Sequence, residues 1–128
     1  MNVLVADDSE VIRERLAELC AGVPGARLLG AAASGHDALR QIESLRPHVV
    51  MTDLHMPHGS GFELLQAGKR RFPETIFIIF TCDTSTQNRA RCMALGADFY
   101  FLKSRDYRAL SSTLQQLAEQ QRHTREQS

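Results

Sequence analysis

NVLVADD (residues 2–8) and VVMTD (residues 49–53) are short apolar runs that end on aspartate, and their reading decides the fold. Runs of this length, bounded by segments of helical periodicity, are read as strands buried on both faces of a parallel sheet. Two further runs, FIIFT (77–81) and DFYFLK (98–103), end on Thr81 and Lys103. In an open parallel sheet, ligands are bound in the crevice beyond the carboxyl ends of the strands. Asp7, Asp8, Asp53, Thr81 and Lys103 are therefore expected to share one crevice.

Outward from these runs, strand and helix signals alternate five times. Strands are expected over 2–6, 27–32, 48–52, 75–80 and 98–102, and helices over 9–21, 35–45, 61–71, 86–95 and 106–120. Ser9 is placed to cap the first helix, whose Ile12, Leu16 and Leu19 recur at helical spacing. Ser34-x-x-Asp37 and Ser60-x-x-Glu63 read as capping boxes before the second and third helices. Gly96 is placed to stop the fourth, and Leu110, Leu114 and Leu117 give the fifth its apolar stripe. Repeated strand–helix units imply right-handed crossovers and helices on both faces, an α/β doubly wound sheet. The first, third and fourth strands are expected at its centre. ARLLGAA (26–32) is less apolar and suits an edge. The domain is expected to span residues 1–121, with 122–128 as a polar C-terminal tail and no second domain or internal repeat.

The chain has 128 residues, enough for one domain with a real core. Its formal net charge of zero supplies no basic surplus for nucleic acid, so no direct nucleic-acid partner is expected. No apolar stretch approaches a membrane span and MNVLVADD lacks a signal-like flank, so no membrane association and a cytoplasmic location are expected. Cys20, Cys82 and Cys92 have no CxxC spacing. Cys20 and Cys92 fall in helical patterns and read as packing residues; Cys82, beside the crevice, is the one placed for exposure.

Three neighbouring carboxylates repel one another unless one is protonated or a cation neutralises them. Mg²⁺ suits such a set, because it takes one or two carboxylates and fills its shell with water and phosphate oxygens. Asp7 and Asp8 diverge from adjacent backbone positions, so one can meet a metal directly and the other through water. Asp53, at the end of another strand, can present an oxygen as nucleophile. Thr81 offers a short donor and Lys103 a charge against a phosphoryl group in transfer. Any one of these aspartates is explained by strand termination or helix capping. The combination with Thr81 and Lys103 at successive strand ends points to a site.

On the segments VLVADDSEVIR, VVMTDLHMPHGSGFELL, FIIFT and LGADFYFLKS, the chain resembles the receiver domain of bacterial two-component response regulators, close in plan to the single-domain chemotaxis type. The resemblance runs from Met1 to about Leu117. It implies a five-stranded parallel sheet in the order 2-1-3-4-5, a flavodoxin-like three-layer sandwich. It implies Asp53 as phospho-acceptor, Asp7 and Asp8 as the acid pocket for Mg²⁺ (with Mn²⁺ as a substitute), and the backbone carbonyl of His55 as a further metal ligand. Thr81 and Lys103 become phosphate partners, and Thr81 with Tyr100 the switch pair, Tyr100 being the aromatic that turns. Implied partners are a sensor histidine kinase or histidine phosphotransfer domain and a downstream protein target. The face of the fourth helix, fifth strand and fifth helix is the expected contact surface, for a target or for a homodimer.

Several residues read otherwise when taken alone. Strand alternation sets Phe99 and Phe101 on the face opposite Tyr100, where they read as core. His36, His55 and His58 read as solvent-facing, since Pro57 and Gly59 break regular structure; the His55 side chain is still expected to overhang the pocket and to tune how water reaches an acyl phosphate. GSGFE (59–63) lacks GxGxxG spacing, so Gly61 reads as permitting a tight turn. Lys69-Arg70-Arg71 reads as a solvated cap on the helix dipole. Two positions depart from the family pattern: Ser104 stands where proline is usual after the lysine, and Cys82 where a smaller residue follows the threonine. The expected chemistry is self-phosphorylation from a phosphodonor and autodephosphorylation, with no multiple-turnover substrate indicated. The alternatives are a small phosphatase forming an aspartyl phosphate on Asp53, with His55 as acid or base, and a non-phosphorylated receiver-like interaction domain.

Overall fold

The computed structural model describes residues 1–127 as five strands alternating with five helices. The strands are β1 (Asn2–Ala6), β2 (Arg27–Ala32), β3 (Val49–Thr52), β4 (Ile76–Thr81) and β5 (Phe99–Leu102). The helices are α1 (Glu10–Ala21), α2 (Gly35–Leu45), α3 (Gly61–Arg71), α4 (Thr86–Ala94) and α5 (Tyr107–Gln127). All strand pairs are parallel and the order is β2-β1-β3-β4-β5, with β2 at one edge as its weaker apolar run implied.

Alternation along the central strands divides the core into two layers. Leu4, Ala6 and Val50 join Ala38, Ile42, Leu64, Leu65 and Cys92 on one face. Val3, Val5 and Met51 join Leu16, Leu19, Leu110 and Leu114 on the other. Val3 to Ala6 and Val49 to Met51 are wholly inaccessible, which is why these runs carry no polar alternation. The ladder continues past the strand ends. Asp7 N–H donates to Ala32 O (2.9 Å), Asp53 N–H to Ala6 O (3.0 Å) and Lys103 N–H to Thr81 O (2.9 Å). Three site residues are thus fixed by backbone bonds before their side chains do anything.

Serine caps set where the helices leave that edge. The hydroxyls of Ser9, Ser34, Ser60 and Ser85 accept from the N–H groups of Ile12, Asp37, Glu63 and Asn88. Gly96, at φ 106°, follows α4 in the left-handed conformation that favours glycine, with its N–H on Met93 O. Gly61 is needed for another reason than a tight turn: a Cβ there would collide with the carbonyl oxygen of Asp53. The start of α3 therefore lies directly against the backbone of the site.

Three further expectations differ. The fifth helix continues to Gln127 rather than ending near residue 120, because QQRHTREQ is polar yet contains neither glycine nor proline to stop it. Phe99 and Phe101 are only half-buried, stacked at 6.0 Å on a strand that forms the edge of the sheet. Lys69 and Arg71 are not simply solvated. Lys69 pairs with Asp98 at 2.8 Å, and Arg71 pairs with Glu43 and lies over Phe72.

Candidate functional site

Asp53 follows β3 and is 8% exposed. One carboxylate oxygen, Oδ1, accepts from Leu54 N–H at 2.6 Å, and Oδ2 accepts from Lys103 Nζ at 2.9 Å. The same ammonium lies 2.6 Å from Asp7 Oδ2. Asp7 is 1% exposed; its Oδ1 accepts from Ser9 N–H at 2.9 Å, and its carbonyl accepts from Arg13 Nη1 at 2.8 Å. Asp8 is exposed and completes the cluster: one oxygen from each of Asp7, Asp8 and Asp53 lies within 4.8 Å of the others.

The charges do not balance. Three carboxylates face one ammonium, and among the described residues the ion pairs of this cluster are those with Lys103. Burial holds the Asp7 carboxyl above the usual carboxylate range and Asp53 adds to this, although Lys103 and the Ser9 N–H pull the other way. Burial disfavours the Lys103 cation, but the Asp7 and Asp53 carboxylates beside it outweigh that and hold its pKa above the ordinary lysine value. Asp7 Oδ2 is buried with no aligned hydrogen-bond donor; its contact with Lys103 is one of charge. A hard divalent cation fits this set. It would supply the missing positive charge and take lone pairs that no N–H directly occupies.

Thr81, at the end of β4, is 1% exposed. Its hydroxyl accepts from Asp83 N–H at 3.2 Å, which leaves its own proton to donate. Tyr100 is 7% exposed, and its hydroxyl donates to Asp83 O at 2.8 Å. Burial first, and then the Asp83 charge, push the Tyr100 phenol up to about 12. The aromatic expected to turn inward is therefore already inside. All described peptide bonds are trans, including the one joining Lys103 to Ser104, and Cys82 is exposed.

The sequence reading missed Asp83. Its Oδ1 accepts from Ser85 N–H at 2.8 Å, and its Oδ2 from Asn88 Nδ2 at 2.7 Å. His55 Nε2 lies 2.7 Å from the same Oδ2, so the imidazole is tied across to the β4–α4 loop. These bonds hold the Asp83 carboxyl below the usual range, His55 first among them. The signal was present in DTSTQN (83–88), a cluster of capping residue types directly after Thr81. Arg13 was missed as well, because its contact is to a backbone carbonyl that no motif marks. His36 and Glu63 stand 3.9 Å apart on the surface, away from the carboxylates' ion-pair network. A cleft of about 520 Å³ between Arg46, Phe72 and Gln121 lies at the opposite ends of the strands from the acidic cluster.

The sequence matches the response regulator receiver domain over residues 3–115. It is 32% identical over 115 residues to the transcriptional regulatory protein YhcZ of Bacillus subtilis, covering 90% of this chain and 54% of that protein. It is 34% identical over 107 residues to a protein-glutamate methylesterase/protein-glutamine glutaminase of Methanospirillum hungatei, covering 82% of this chain and 31% of that one. The chain thus spans about half, or less, of the length of these relatives. A DNA-binding response regulator of the LuxR family from Staphylococcus aureus superposes with a TM-score of 0.84 at 25% identity, over 91% of this chain and 98% of that one. With strand order, acidic cluster and family match in agreement, this chain belongs to the response regulator receiver domains.

Proposed function

We propose that this chain is a phospho-accepting signalling switch that takes a phosphoryl group onto Asp53. The observation that carries the reading is the setting of the Asp53 carboxylate. Leu54 N–H orients one oxygen and Lys103 the other, with Asp7 and Asp8 alongside. In the family Mg²⁺ is the general cofactor; Asp7, Asp8, Asp53 and the His55 carbonyl would hold it, and it would offset charge on the transferring group. An Asp53 oxygen attacks the phosphorus of a phosphohistidine or a small phosphodonor, in line with the leaving group. The new O–P bond forms as the bond to the leaving nitrogen or oxygen breaks, and the leaving group takes its proton from solvent. Lys103, already beside Asp53 Oδ2, is positioned to follow the charge onto the phosphoryl oxygens. Thr81 donates its hydroxyl proton to one of them.

The turnover alternative needs His55 as acid or base. Its Nε2 is engaged by Asp83, which favours the switch over a phosphatase. The donor is a sensor histidine kinase or histidine phosphotransfer protein, and the output is a changed protein-binding surface across α4, β5 and α5. Incubation with acetyl phosphate and Mg²⁺, followed by intact mass, tests the reading. The wild-type chain should gain about 80 Da, and neither Asp53→Asn nor a metal-free sample should do so. A full-yield adduct in Asp53→Asn would remove Asp53 from its role.

A further inference from the structure

Asp83 contacts Thr81, Tyr100, α4 and His55 from a loop of four residues, 82–85, between β4 and α4. Its N–H donates to Thr81 Oγ1 and its carbonyl accepts from the Tyr100 hydroxyl. Its carboxylate is anchored on one side to α4, through Ser85 N–H and Asn88 Nδ2. On the other side it reaches across the crevice to His55, 28 residues away in the chain and on the β3–α3 loop beside Asp53. The carboxylate is 10% exposed and the imidazole 62%, so the bridge closes one wall of the crevice with its histidine half in solvent.

We propose that His55 and Asp83 form a clamp that holds the β4–α4 loop, and through it Tyr100, in the inward arrangement before any phosphoryl group arrives. The proposal rests on the phospho-acceptor reading for its signalling consequence, but not for its geometry. Tyr100 stays inside because a buried hydroxyl needs an acceptor, and that acceptor is the Asp83 carbonyl at 2.8 Å. Where the carbonyl sits depends on the long 3.2 Å bond of the Asp83 N–H to Thr81 Oγ1 and on where the Asp83 side chain is pinned. Bonds to Ser85 and Asn88 fix it only relative to α4, which moves with the loop. His55 alone among its side-chain partners ties it to the far wall. Without that tie the loop can drift with α4, the carbonyl leaves the hydroxyl, and the ring turns out to water under the Arg89 guanidinium, now 5.6 Å from its centroid. His55 and Asp83 are thus positioning residues for Tyr100. They bias the unphosphorylated chain toward one arrangement rather than locking it, because an exposed charge-assisted contact is weak.

The chain has two tyrosines, so tetranitromethane nitration mapped by mass spectrometry reports on Tyr100 with Tyr107 as internal reference. At fixed pH and without phosphodonor, His55→Ala should raise Tyr100 nitration about two- to fivefold with Tyr107 unchanged, the scale of one exposed charged contact. His55→Gln, which keeps an N–H donor, should restore most of the protection. His55→Ala added to Asp83→Ala should have no further effect. Unchanged Tyr100 nitration in His55→Ala, with a rise in Asp83→Ala alone, would overturn the clamp and leave Asp83 as a cap of α4. Equal loss of protection in the Ala and Gln variants would overturn it as well. Acetyl phosphate labelling of the same samples separates the two readings: a chain that never labels Asp53 refutes the phospho-acceptor role while the nitration pattern still decides the clamp.

Discussion

Asp7 is 1% exposed, and burial raises its pKa even with Lys103 at 2.6 Å. A folded-state pKa above the unfolded value means that the ionised form costs more in the folded chain. Asp7 therefore subtracts stability increasingly as the pH rises from the unfolded value through its folded-state pKa. Asp7→Asn should then raise the Tm of the metal-free protein, while abolishing Mg²⁺-dependent labelling of Asp53. A fall in Tm on thermal denaturation would show that the Lys103 pair outweighs burial. Asp83 has the opposite sign. Its depressed pKa gives stability that is present at neutral pH and lost as the pH falls through the folded value. At His55, the tie to Asp83 fixes an imidazole over the crevice and occupies the nitrogen that would otherwise orient water. His55→Ala should therefore speed autodephosphorylation severalfold and leave Mg²⁺ affinity nearly unchanged, since any residue's backbone carbonyl can serve the metal. Slower decay, read by loss of the phosphoryl adduct with time, would make the imidazole a base instead of a shield.

At the scale of elements, the junction of β3 with α3 is where packing and chemistry meet. Gly61→Ala places a methyl group against the Asp53 carbonyl and Leu54 Cα, which are backbone and cannot step aside as a flexible side chain can. Overpacking of this kind costs about 1–3 kcal/mol, and the upper end is expected, with slower labelling of Asp53. Gly68→Ala is the control. Its methyl group meets the Phe77 ring in the core, so the urea midpoint should fall while labelling per folded molecule holds. Equal loss of labelling in both would detach the junction from the chemistry. The central strands, the edge position of β2 and the approach of Asp7, Asp8, Asp53 and Lys103 were legible because apolar runs ending in charge leave few arrangements for a parallel sheet. The full strand order came only with the resemblance to the receiver family. The end of α5 was not, because a polar segment without glycine or proline reads equally as a solvated helix and as a tail. The inward Tyr100 escaped for a related reason. Alternation names the face of a side chain but not its rotamer, and the acceptor that holds it is a loop carbonyl no pattern marks. Asp83 was hidden because capping residues are common, and only the fold shows that His55 lies opposite.

For the molecule as a whole, two apolar layers supply the stability and one edge of the sheet supplies the function, and the two oppose each other there. The layers bury Val3–Ala6 of β1 and all of β3, and in doing so they draw Asp7 and Asp53 into a setting where three carboxylates answer to one lysine. Among the described residues no helix is long and apolar enough to cross a membrane. A ligand that binds only the folded chain stabilises it by RT ln(1 + [L]/Kd). Mg²⁺ at ten times its Kd should therefore add about 1.4 kcal/mol of stability to the wild-type chain, seen as a rise in Tm that saturates with concentration. Asp7→Asn, though more stable without metal, should lose that rise, and Asp8→Asn should show a smaller one because its exposed carboxylate acts from the rim. NaCl matched for ionic strength distinguishes binding from screening. Screening relieves repulsion among the carboxylates without saturating and acts on monovalent and divalent salts alike once ionic strength is equal. If NaCl reproduced the full Mg²⁺ effect, the cluster would be a strained acidic edge with no ion to hold. If the rise survived in Asp7→Asn, the cation would bind elsewhere than between these three aspartates.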